Sequence, residues 1–388
     1  MSTNQLKKIF LIAGEASGDL HGALLIKKLK TLYPDIILRG LGGPLMKAEG
    51  VQILHDLTKE SVLGATDVFI KYFHFLSIFK RALKDAELFK PDAIILIDYP
   101  GFNLRFAKKI NNRFPVIYYI SPQIWAWGKR RIHVIKKFIS HMIVLFQFEA
   151  DMYRKFSVPA TWVGHPLIDE VKPSKPRIEL RKELFPQAAT GLKVVTLFPG
   201  SRKTEVERIL PDMLKTAQEI KKCSASGAIQ FLLAESSNIS AELYDEILNA
   251  HGKNLPIKKF ENRSYDLLAA SDAALITSGT ATLETALSKT PFVIFYKTAR
   301  LTFWLGRWLV NIPFIGLVNV VAGKKIIPEF LQHEIRPELI AKEIFLLLHE
   351  EDLRKRMIQD LEDIKIKLGL AGAAGRAAET VVKLLTHS

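Results

Sequence analysis

Apolar residues recur along this chain in short uninterrupted runs, many of them bounded by Gly, Pro or Asp. Continuous runs, as opposed to alternating ones, are typical of strands buried on both faces of a parallel sheet. Helical patterns lie between most of the runs, which predicts consecutive βα units. The clearest runs are Ile9–Ala13, Ala93–Ile97, Val116–Ile120, Met142–Phe146, Val194–Phe198, Phe231–Ala234, Ala273–Ile276 and Phe292–Tyr296. We therefore predict an α/β protein with two doubly wound, Rossmann-like domains.

The domain boundary is predicted near residue 172, because a chain of 388 residues is too long for one compact core. The segment Lys172–Pro176 is typical of a stiff polar linker, and Val194 begins a second series of strands. This gives an N-terminal domain over 1–171 and a second domain over 172–350. The remaining residues, 351–388, are predicted to be helical.

Composition excludes some classes of protein. The single cysteine, Cys223, rules out an intrachain disulfide framework and is typical of a reducing compartment. No Cys/His cluster has metal-ligand spacing, so no metal site is predicted. The net charge of +15 is compatible with nucleic acid, an anionic membrane or phosphorylated substrates, and charge alone does not choose among them.

Two segments of the second half predict a nucleotide site. PGSR at 199–202 and SGTATLE at 278–284 each follow an apolar run and lead into a helical pattern. Small residues let backbone N–H groups at a helix start approach phosphate oxygens, and Arg202 adds a planar fork of donors. Glu284, one turn into its helix, can accept hydrogen bonds from two neighbouring hydroxyls. A diphosphate joined to a ribose would satisfy all of these groups.

Three polar segments follow apolar runs of the first half: Gly14–Asp19, Asp98–Asn103 and Ser121–Trp127. Ligands of open α/β sheets lie beyond the carboxyl ends of strands, so both domains would present such segments to one cleft. Asp98 is a candidate general base for a hydroxyl, and the alternative is an N-cap or Asx-turn residue. The two tryptophans of Ser121–Trp127 suit a sugar face or an acyl chain, or they pack the domain.

The segment 68–84 is predicted to be an interfacial helix with a basic fringe. The alternative is a helix that faces the core of the first domain. Its apolar face comprises Val68, Tyr72, Phe75, Leu76, Phe79 and Leu83, beside Lys71, Lys80, Arg81 and Lys84. The segment 301–322 is long enough to span a bilayer, but its polar residues argue against that. We expect the protein to lie on a membrane without crossing it.

Nine motifs occur in order along nearly the whole chain. They are AGEASGD at 13–19, GLGGP at 40–44, IDYPGFN at 97–103, SPQIWAW at 121–127, VGHPL at 163–167, PGSR at 199–202, SGTATLE at 278–284, FW at 303–304 and NVVAG at 319–323. Each motif is weak alone, but together they resemble those of the lipid-A-disaccharide synthases, bacterial glycosyltransferases of the GT-B fold.

The resemblance implies a specific reaction. These enzymes join UDP-2,3-diacylglucosamine to 2,3-diacylglucosamine 1-phosphate (lipid X), form a β(1→6) disaccharide with inversion and release UDP. No metal or other cofactor is expected, since the UDP-sugar is a substrate. The expected location is the inner face of the cytoplasmic membrane of a Gram-negative bacterium, as a peripheral protein of lipid A and lipopolysaccharide biosynthesis. No nucleic-acid partner is expected.

The resemblance also assigns residues. The donor side comprises Gly200, Ser201, Arg202, Ser278, Gly279, Thr280, Glu284 and Asn319. In the first domain Asp98 is the expected base for the acceptor 6-hydroxyl, and Glu15 is its rival. The acceptor, acyl-chain or membrane side comprises Ser17, Gln123, Trp125, Val68, Phe69, Tyr72, Phe75, Leu76 and Phe79. Residues 351–388 would pack back on the N-terminal domain or exchange between the subunits of a homodimer.

Two alternatives from other classes stay open. A UDP-sugar epimerase of the same fold would share the UDP site but would lack an exposed acyl-binding helix. A nucleic-acid-binding protein is suggested by the net charge of +15. That reading requires a basic face with exposed aromatic residues, and no module motif for it is present.

Overall fold

The computed structural model describes residues 6–59, 68–187, 191–223, 229–299 and 313–386. The chain divides into two compact units. The first unit comprises Met1–Pro166 together with Leu368–Ser388, and the second comprises Leu167–Lys367. Each unit contains one parallel sheet, with seven strands in the first and six in the second among the described residues.

The strands are numbered along the chain. They are β1 (Lys8–Ala13), β2 (Ile37–Gly42), β3 (Gln52–Asp56), β4 (Ala93–Ile97), β5 (Val116–Tyr119), β6 (His141–Val144), β7 (Ala160–Trp162), β8 (Lys193–Phe198), β9 (Ile229–Glu235), β10 (Ile257–Glu261), β11 (Ala273–Thr277), β12 (Phe292–Tyr296) and β13 (Glu329–Leu331). The first sheet has the order β3-β2-β1-β4-β5-β6-β7, and the second has the order β10-β9-β8-β11-β12-β13.

The described helices follow the strands as the apolar pattern predicts. They are α1 (Ala16–Leu32), α2 (Pro44–Ala48), α3 (Val68–Phe89), α4 (Pro100–Ile110), α5 (Arg131–Phe138), α6 (Gln147–Lys155), α7 (Leu167–Glu170), α8 (Arg177–Leu184), α9 (Lys203–Cys223), α10 (Ala241–His251), α11 (Ser264–Ala270), α12 (Ala281–Leu287), α13 (Leu317–Ala322), α14 (Pro337–His349), α15 (Glu351–Leu368) and α16 (Ala373–Thr386). Short 3₁₀ turns cover Leu57–Lys59 and Gln332–Glu334.

Both sheets are doubly wound, which confirms the predicted fold class. In the first sheet the strand order reverses between β1 and β4, whose residues Ile9–Ala13 and Ala93–Ile97 pair in parallel and are all buried. In the second sheet the reversal lies between β8 and β11, where Val195 pairs with Ala273. A reversal of this kind opens a crevice at the carboxyl ends of the two strands, where α/β proteins bind ligands.

The boundary between the units differs from the predicted one. The chain leaves the first unit after Pro166, before the expected 171, and it returns at Leu368. Helix α15, expected to group with the C-terminal helices, therefore belongs almost wholly to the second unit. Helix α16 packs on α1 in the first unit. Arg376 fixes this return, because its guanidinium donates from Nε to the carbonyl oxygen of Val163 at 2.8 Å.

The predicted linker 172–176 is docked on the second unit. The backbone N–H and the hydroxyl of Ser174 donate to the Asp266 carboxylate at 2.7 and 2.8 Å. Asp272 then anchors α8, since its buried carboxylate accepts hydrogen bonds from Arg177, Arg181 and the backbone N–H of Val194. Asp266 thus holds the predicted linker through Ser174, and Asp272 holds the helix that follows it; both aspartates lie about ninety residues further along the chain.

Replacing Asp272 with Ala should lower the free energy of unfolding by about 3 kcal/mol, because two arginines lose a largely buried counter-charge and the Val194 N–H loses its acceptor. Urea unfolding would measure the change. The control is Glu351→Ala, which removes a carboxylate that is 76% exposed and paired with Lys355; it should leave the free energy of unfolding nearly unchanged. Equal effects of the two substitutions would contradict this anchor.

Candidate active site

The second unit contains a cavity at the carboxyl ends of β8 and β11, where the strand order reverses. Its volume is about 410 Å³. All of the residues predicted from PGSR and SGTATLE to bind a nucleotide line it: Gly200, Ser201, Arg202, Ser278, Gly279, Thr280 and Glu284. Neighbouring strands add Ser236, Ser237, Asn262 and Ser264. The switch point thus assembles segments that lie some eighty residues apart in sequence.

Gly200 and Gly279 allow the two loops to line this cavity. Their φ angles of +116° and +147° lie in a region that side chains rarely adopt. A Cβ atom on Gly200 would also lie 2.5 Å from the Glu205 carboxylate. Apart from the residues next to Gly279 in the chain, no atom of the described residues lies within 4 Å of a Cβ atom built on it, so the described structure leaves space beside that glycine for a ligand.

Arg202 extends from the β8 loop with its side chain 80% exposed. Its Nη1 donates to Glu205 Oε1 at 3.0 Å, and Glu205 Oε2 accepts the backbone N–H of Ser201 at 3.2 Å. One glutamate therefore orients both the arginine and the loop. Among the described residues only one edge of the guanidinium is engaged, which leaves its other donors to an anion in the cavity.

Glu284 lies between this cavity and a second one of about 440 Å³, which shares Asn262, Ser264 and Glu284 with the first. Burial raises the pKa of Glu284, and the charge of Glu170 adds to the rise. Burial, together with the charges of Glu284 and Glu170, raises the pKa of Tyr265 to about 12. The sequence analysis did not identify Glu170 or Tyr265, because neither belongs to a motif.

Asn319 has a different place from the one predicted for it. The side chain is fully buried, and it does not line either cavity. Its Nδ2 donates to Ile327 O at 2.8 Å and to Glu329 Oε1 at 2.7 Å, and its Oδ1 accepts the backbone N–H groups of Ile326 and Ile327. These bonds use the whole hydrogen-bonding capacity of the amide. In this structure Asn319 therefore supports the loop and does not face a sugar or phosphate.

Glu329 connects this support to the cavity. Its carboxylate accepts the backbone N–H groups of Ile315 and Gly316 at 3.0 and 2.9 Å. The carbonyl oxygen of Ile315 in turn accepts the Ser278 hydroxyl at 3.1 Å. Asn319 thus acts on the cavity wall indirectly, through Glu329 and the backbone at 315–316.

In the first unit Asp98 follows β4, on one side of the switch point. Asp98 and Tyr99 both have left-handed backbones, with φ of +47° and +46°. For residues other than glycine this conformation costs about 1–3 kcal/mol each and persists only where the surroundings impose it. Here the carbonyl oxygen of Asp98 accepts Asn103 Nδ2 at 2.7 Å and the Tyr118 hydroxyl at 2.5 Å. These two fully buried side chains fix the strained turn.

The carboxyl group of Asp98 has chemical properties that suit a base. Burial raises its pKa to about 6, the negative charge of Glu15 adds to the rise, and a hydrogen bond from the Tyr99 backbone opposes it. Both candidate bases therefore lie in one electrostatic neighbourhood. Glu15 and Ser17 are exposed at the start of α1. Gly14 is required by packing, because a Cβ atom there would lie 2.1 Å from the ring of Tyr99.

The neighbouring carboxylate Asp19 has a structural role. It is buried, and it accepts the backbone N–H groups of Gly43, Leu45 and Met46 at 2.8–3.0 Å. These bonds cap α2 and explain why the GLGGP segment lies beside the α1 turn. Of the two acidic residues in the Gly14–Asp19 turn, only Glu15 is left for chemistry.

Trp125 is half-buried, and its polar atom is used within the unit. Its Nε1 donates to Glu149 Oε1 at 3.1 Å, and its ring packs edge-on against Phe148. Glu149 is fully enclosed, and burial raises its pKa to about 8. No motif marks this acid, which supports the Ser121–Trp127 segment through Trp125. Gln123 is exposed on the same segment and is available to a ligand.

Helix α3 turns part of its predicted lipid face towards the core. Phe75 and Phe79 pack edge-on against Phe102, with ring centroids 5.3 and 5.1 Å apart, so both half-buried rings contribute to the core of the first unit and their membrane role stays a prediction. They are drawn inward because α4 presents an aromatic cluster beneath them. The side chains of Val68, Phe69 and Tyr72 lie outside the described part of the structure, and Leu76 is half-buried.

The exposed side of α3 carries other residues. Phe73 is 68% exposed, and Lys80, Arg81 and Lys84 are also exposed. Within the described ranges no helix combines the length and the apolar character needed to cross a membrane. The predicted Trp304 region falls outside the described residues. Among the described residues no group of three His, Cys, Asp or Glu side chains is arranged to hold a metal ion.

Two Rossmann-like units, each with a polar site at its switch point, give the chain the GT-B fold. Solved structures agree: a putative UDP-N-acetylglucosamine 2-epimerase from Listeria monocytogenes is similar with a TM-score of 0.65 and 11% identity, covering 99% of this chain and 98% of its own. MurG from Acinetobacter baumannii is similar with a TM-score of 0.56 and 14% identity over 98% of this chain and 100% of its own. At such identities the likeness concerns the fold alone.

Sequence comparison identifies the family. The sequence model of the lipid-A-disaccharide synthetase family matches residues 9–383, so the chain belongs to that family. A lipid-A-disaccharide synthase from Syntrophus aciditrophicus is 42% identical over 98% of this chain and 99% of its own length. The chain is therefore a glycosyltransferase of lipid A biosynthesis, as the nine motifs predicted. This result removes the support for the epimerase and nucleic-acid-binding alternatives.

Replacing Asn319 with Ala should lower the free energy of unfolding by about 3 kcal/mol, because two buried N–H groups and the Glu329 carboxylate lose partners. Urea unfolding would measure this loss. Asn238, an exposed residue of the same unit, is the control, and its replacement with Ala should have little effect. If Asn319→Ala keeps its stability and loses only nucleotide affinity, Asn319 is a ligand as the resemblance implied.

Proposed function

We propose that the chain transfers 2,3-diacylglucosamine from UDP to 2,3-diacylglucosamine 1-phosphate, forming a β(1→6) disaccharide with inversion and releasing UDP. Family membership supports the reaction class. The observation that carries the assignment is the cavity of the second unit, in which small-residue loops, Arg202 and Glu284 meet at the switch point. Its volume of about 410 Å³ is in the range of small-molecule sites.

In this proposal the donor occupies that cavity. The diphosphate accepts hydrogen bonds from the Arg202 guanidinium, the Ser201 hydroxyl and the backbone near Thr280. The ribose hydroxyls donate to the Glu284 carboxylate. Arg202 is then placed to stabilise the negative charge that grows on the diphosphate as it leaves. Arginine and backbone donors supply the positive charge, and no metal cofactor is part of the proposal.

Asp98 is the proposed base for the acceptor. Its carboxylate takes the proton of the 6-hydroxyl, the freed oxygen attacks the anomeric carbon, and the bond between that carbon and the diphosphate oxygen breaks with its electron pair going to UDP. A pKa of about 6 suits this role, because the group is mostly ionised at neutral pH and is more basic than an ordinary aspartate. Its strained turn holds the carboxyl in place.

We further propose that the protein works as a peripheral protein at the inner face of the cytoplasmic membrane. Both substrates carry acyl chains, so the enzyme has to meet them at a lipid surface. The exposed side of α3, with Phe73, Lys80, Arg81 and Lys84, is the proposed contact. One exposed aromatic ring beside three cations suits an anionic interface, and the net charge of +15 acts in the same direction.

Purified protein should release UDP when both acylated substrates are supplied in detergent micelles, and Asp98→Asn should reduce turnover by about 10²–10⁴-fold. For the parent enzyme kcat/KM should rise with pH through about 6, because only the ionised carboxyl accepts a proton. Absence of UDP release would contradict the proposed function.

The variant Glu15→Gln separates the two candidate bases in the same assay. If Asp98 is the base, removing the negative neighbour lowers its pKa, so the acid limb of the profile moves to lower pH while turnover persists. If Glu15 is the base, Glu15→Gln abolishes turnover and Asp98→Asn leaves much of it.

Replacing Arg202 with Ala should weaken UDP binding by about 1.5–3 kcal/mol, the contribution of hydrogen bonds to a charged group. Calorimetric titration with UDP would measure it. The control is Lys203→Ala, which removes the adjacent exposed charge paired with Glu207 and should leave the affinity nearly unchanged. Unfolding stability should be unaltered in both variants, since both side chains are exposed. Unchanged UDP affinity in Arg202→Ala would remove this residue from the site.

A further inference from the structure

A strongly basic segment follows β5 in the first unit. Between residues 121 and 140 the sequence contains no acidic residue, and five cations occur within nine positions: Lys129, Arg130, Arg131, Lys136 and Lys137. All except Arg131 are exposed, and Arg131 is half-buried. None of the five forms a salt bridge with a described residue. Their charge is therefore not neutralised within the described structure.

Arg131 is the ordered member of this group. Its guanidinium lies over the ring of Trp127, 4.1 Å from the ring centroid, in a cation–π contact that fixes its plane. Its Nη1 is buried and has no hydrogen-bond partner among the described residues. Partly buried charges are ordinarily paired, because desolvation of an uncompensated charge is costly. An arginine held in place without a counter-charge is well suited to receive an anion from outside the chain.

The position of Arg131 relates it to the candidate base. Its charge opposes the burial that raises the pKa of Tyr118, so the two side chains are electrostatic neighbours. The Tyr118 hydroxyl donates to the carbonyl oxygen of Asp98 at 2.5 Å. Arg131 follows β5, and Asp98 follows the adjacent strand β4. The buried side chain of Tyr118 lies next to both residues and links them. An anion at Arg131 would lie in the same polar region as the base.

We propose that Arg131, backed by the ring of Trp127, binds the phosphate group of the acceptor sugar, with Lys129 and Arg130 adding positive charge. This inference rests on the proposed function, in which the acceptor is a hexosamine 1-phosphate. Such an acceptor carries its phosphate on C1 and its reacting 6-hydroxyl on the exocyclic carbon attached to C5, and C1 and C5 both flank the ring oxygen. The acceptor site therefore needs a base beside the 6-hydroxyl and a cation beside the phosphate. Both have to lie on the same unit, no further apart than the length of one sugar.

Phosphate groups also occur in membrane lipids, and the structure favours the acceptor as the source. A lipid surface is usually met by flexible, fully exposed lysines and arginines. Arg131 instead has one buried nitrogen and a plane fixed by an aromatic ring, which is the arrangement of a specific anion site. Binding here would make the enzyme prefer a phosphorylated acceptor.

The test compares two acceptors that differ only at the anomeric position, 2,3-diacylglucosamine 1-phosphate and its dephosphorylated form. The parent enzyme should prefer the phosphorylated acceptor in kcat/KM. Arg131→Gln should reduce that preference by about tenfold to a hundredfold, the range expected for losing a charged hydrogen bond. The rate with the dephosphorylated acceptor and the KM for the donor should change little. Lys136→Gln removes one exposed charge from the same helix and should keep the preference.

If kcat/KM of Arg131→Gln falls equally with both acceptors, Arg131 has a structural role and the proposal is overturned. An unchanged preference for the phosphorylated acceptor would overturn it as well. Arg131→Lys, which keeps the charge but loses the planar fork, gives a second variant if Arg131→Gln does not fold, and it should show an intermediate preference. Vesicles of phosphatidylcholine with phosphatidylglycerol should bind Arg131→Gln as they bind the parent. Lost vesicle binding with a retained phosphate preference would assign Arg131 to lipid headgroups instead.

Calorimetric binding of glucosamine 1-phosphate, compared with glucosamine, needs no turnover. The parent protein should bind the phosphorylated sugar more tightly, and Arg131→Gln should remove the difference. Equal binding of the two sugars by the parent would overturn the phosphate site. A parent protein that shows the difference and yet turns over neither acylated acceptor would contradict the proposed function and leave the phosphate site supported.

Discussion

Parallel pairing of β1 with β4 and of β8 with β11 is the constraint on which both parts of the candidate site depend. Each pair lies where the strand order reverses, so the loops that follow the two strands diverge and leave a crevice. In the second unit that crevice collects two loops distant in sequence around one cavity. In the first unit it places the Glu15 turn and Asp98 in one electrostatic neighbourhood. The residues of these loops differ between the two units, but in both units the strand order of the sheet brings the loops together.

Several carboxylates support the fold. Asp19, Asp266, Asp272 and Glu329 accept backbone N–H groups, and Asp266 and Asp272 also pair with arginines. Asp98 and Glu284 instead have raised pKa values, because burial and a neighbouring negative charge act on each. A buried carboxyl group with a raised pKa makes folding less favourable when it is ionised. Such groups are typical of functional sites. The same contrast applies to cations, since Arg177 is paired with a carboxylate, whereas Arg131 pairs with none in the described part of the chain.

The apolar pattern of the sequence predicted the strands that are completely buried and missed strands that are only partly buried. The eight apolar runs correspond to central strands. The strands that the runs did not reveal include β3, β7, β10 and β13, which are the four edges of the two sheets. Edge strands have one partner and more exposed residues, so their sequences are mixed. For the same reason Phe75 and Phe79 could not be assigned from α3 alone, because helical spacing marks an apolar face without saying what covers it.

The sequence by itself determined the fold class, the family and the loops that line the cavity of the second unit, because continuous apolar runs, small residues after strands and ordered motifs are local signals. Only the tertiary structure decided which polar residues remain free for ligands. Asn319 belongs to a motif and yet is consumed by Glu329 and the backbone, whereas Glu170, Glu149 and Arg131 stand out only when their neighbours are known. A side chain's availability depends on desolvation and on partners distant in sequence, and these interactions exist only after the chain has folded.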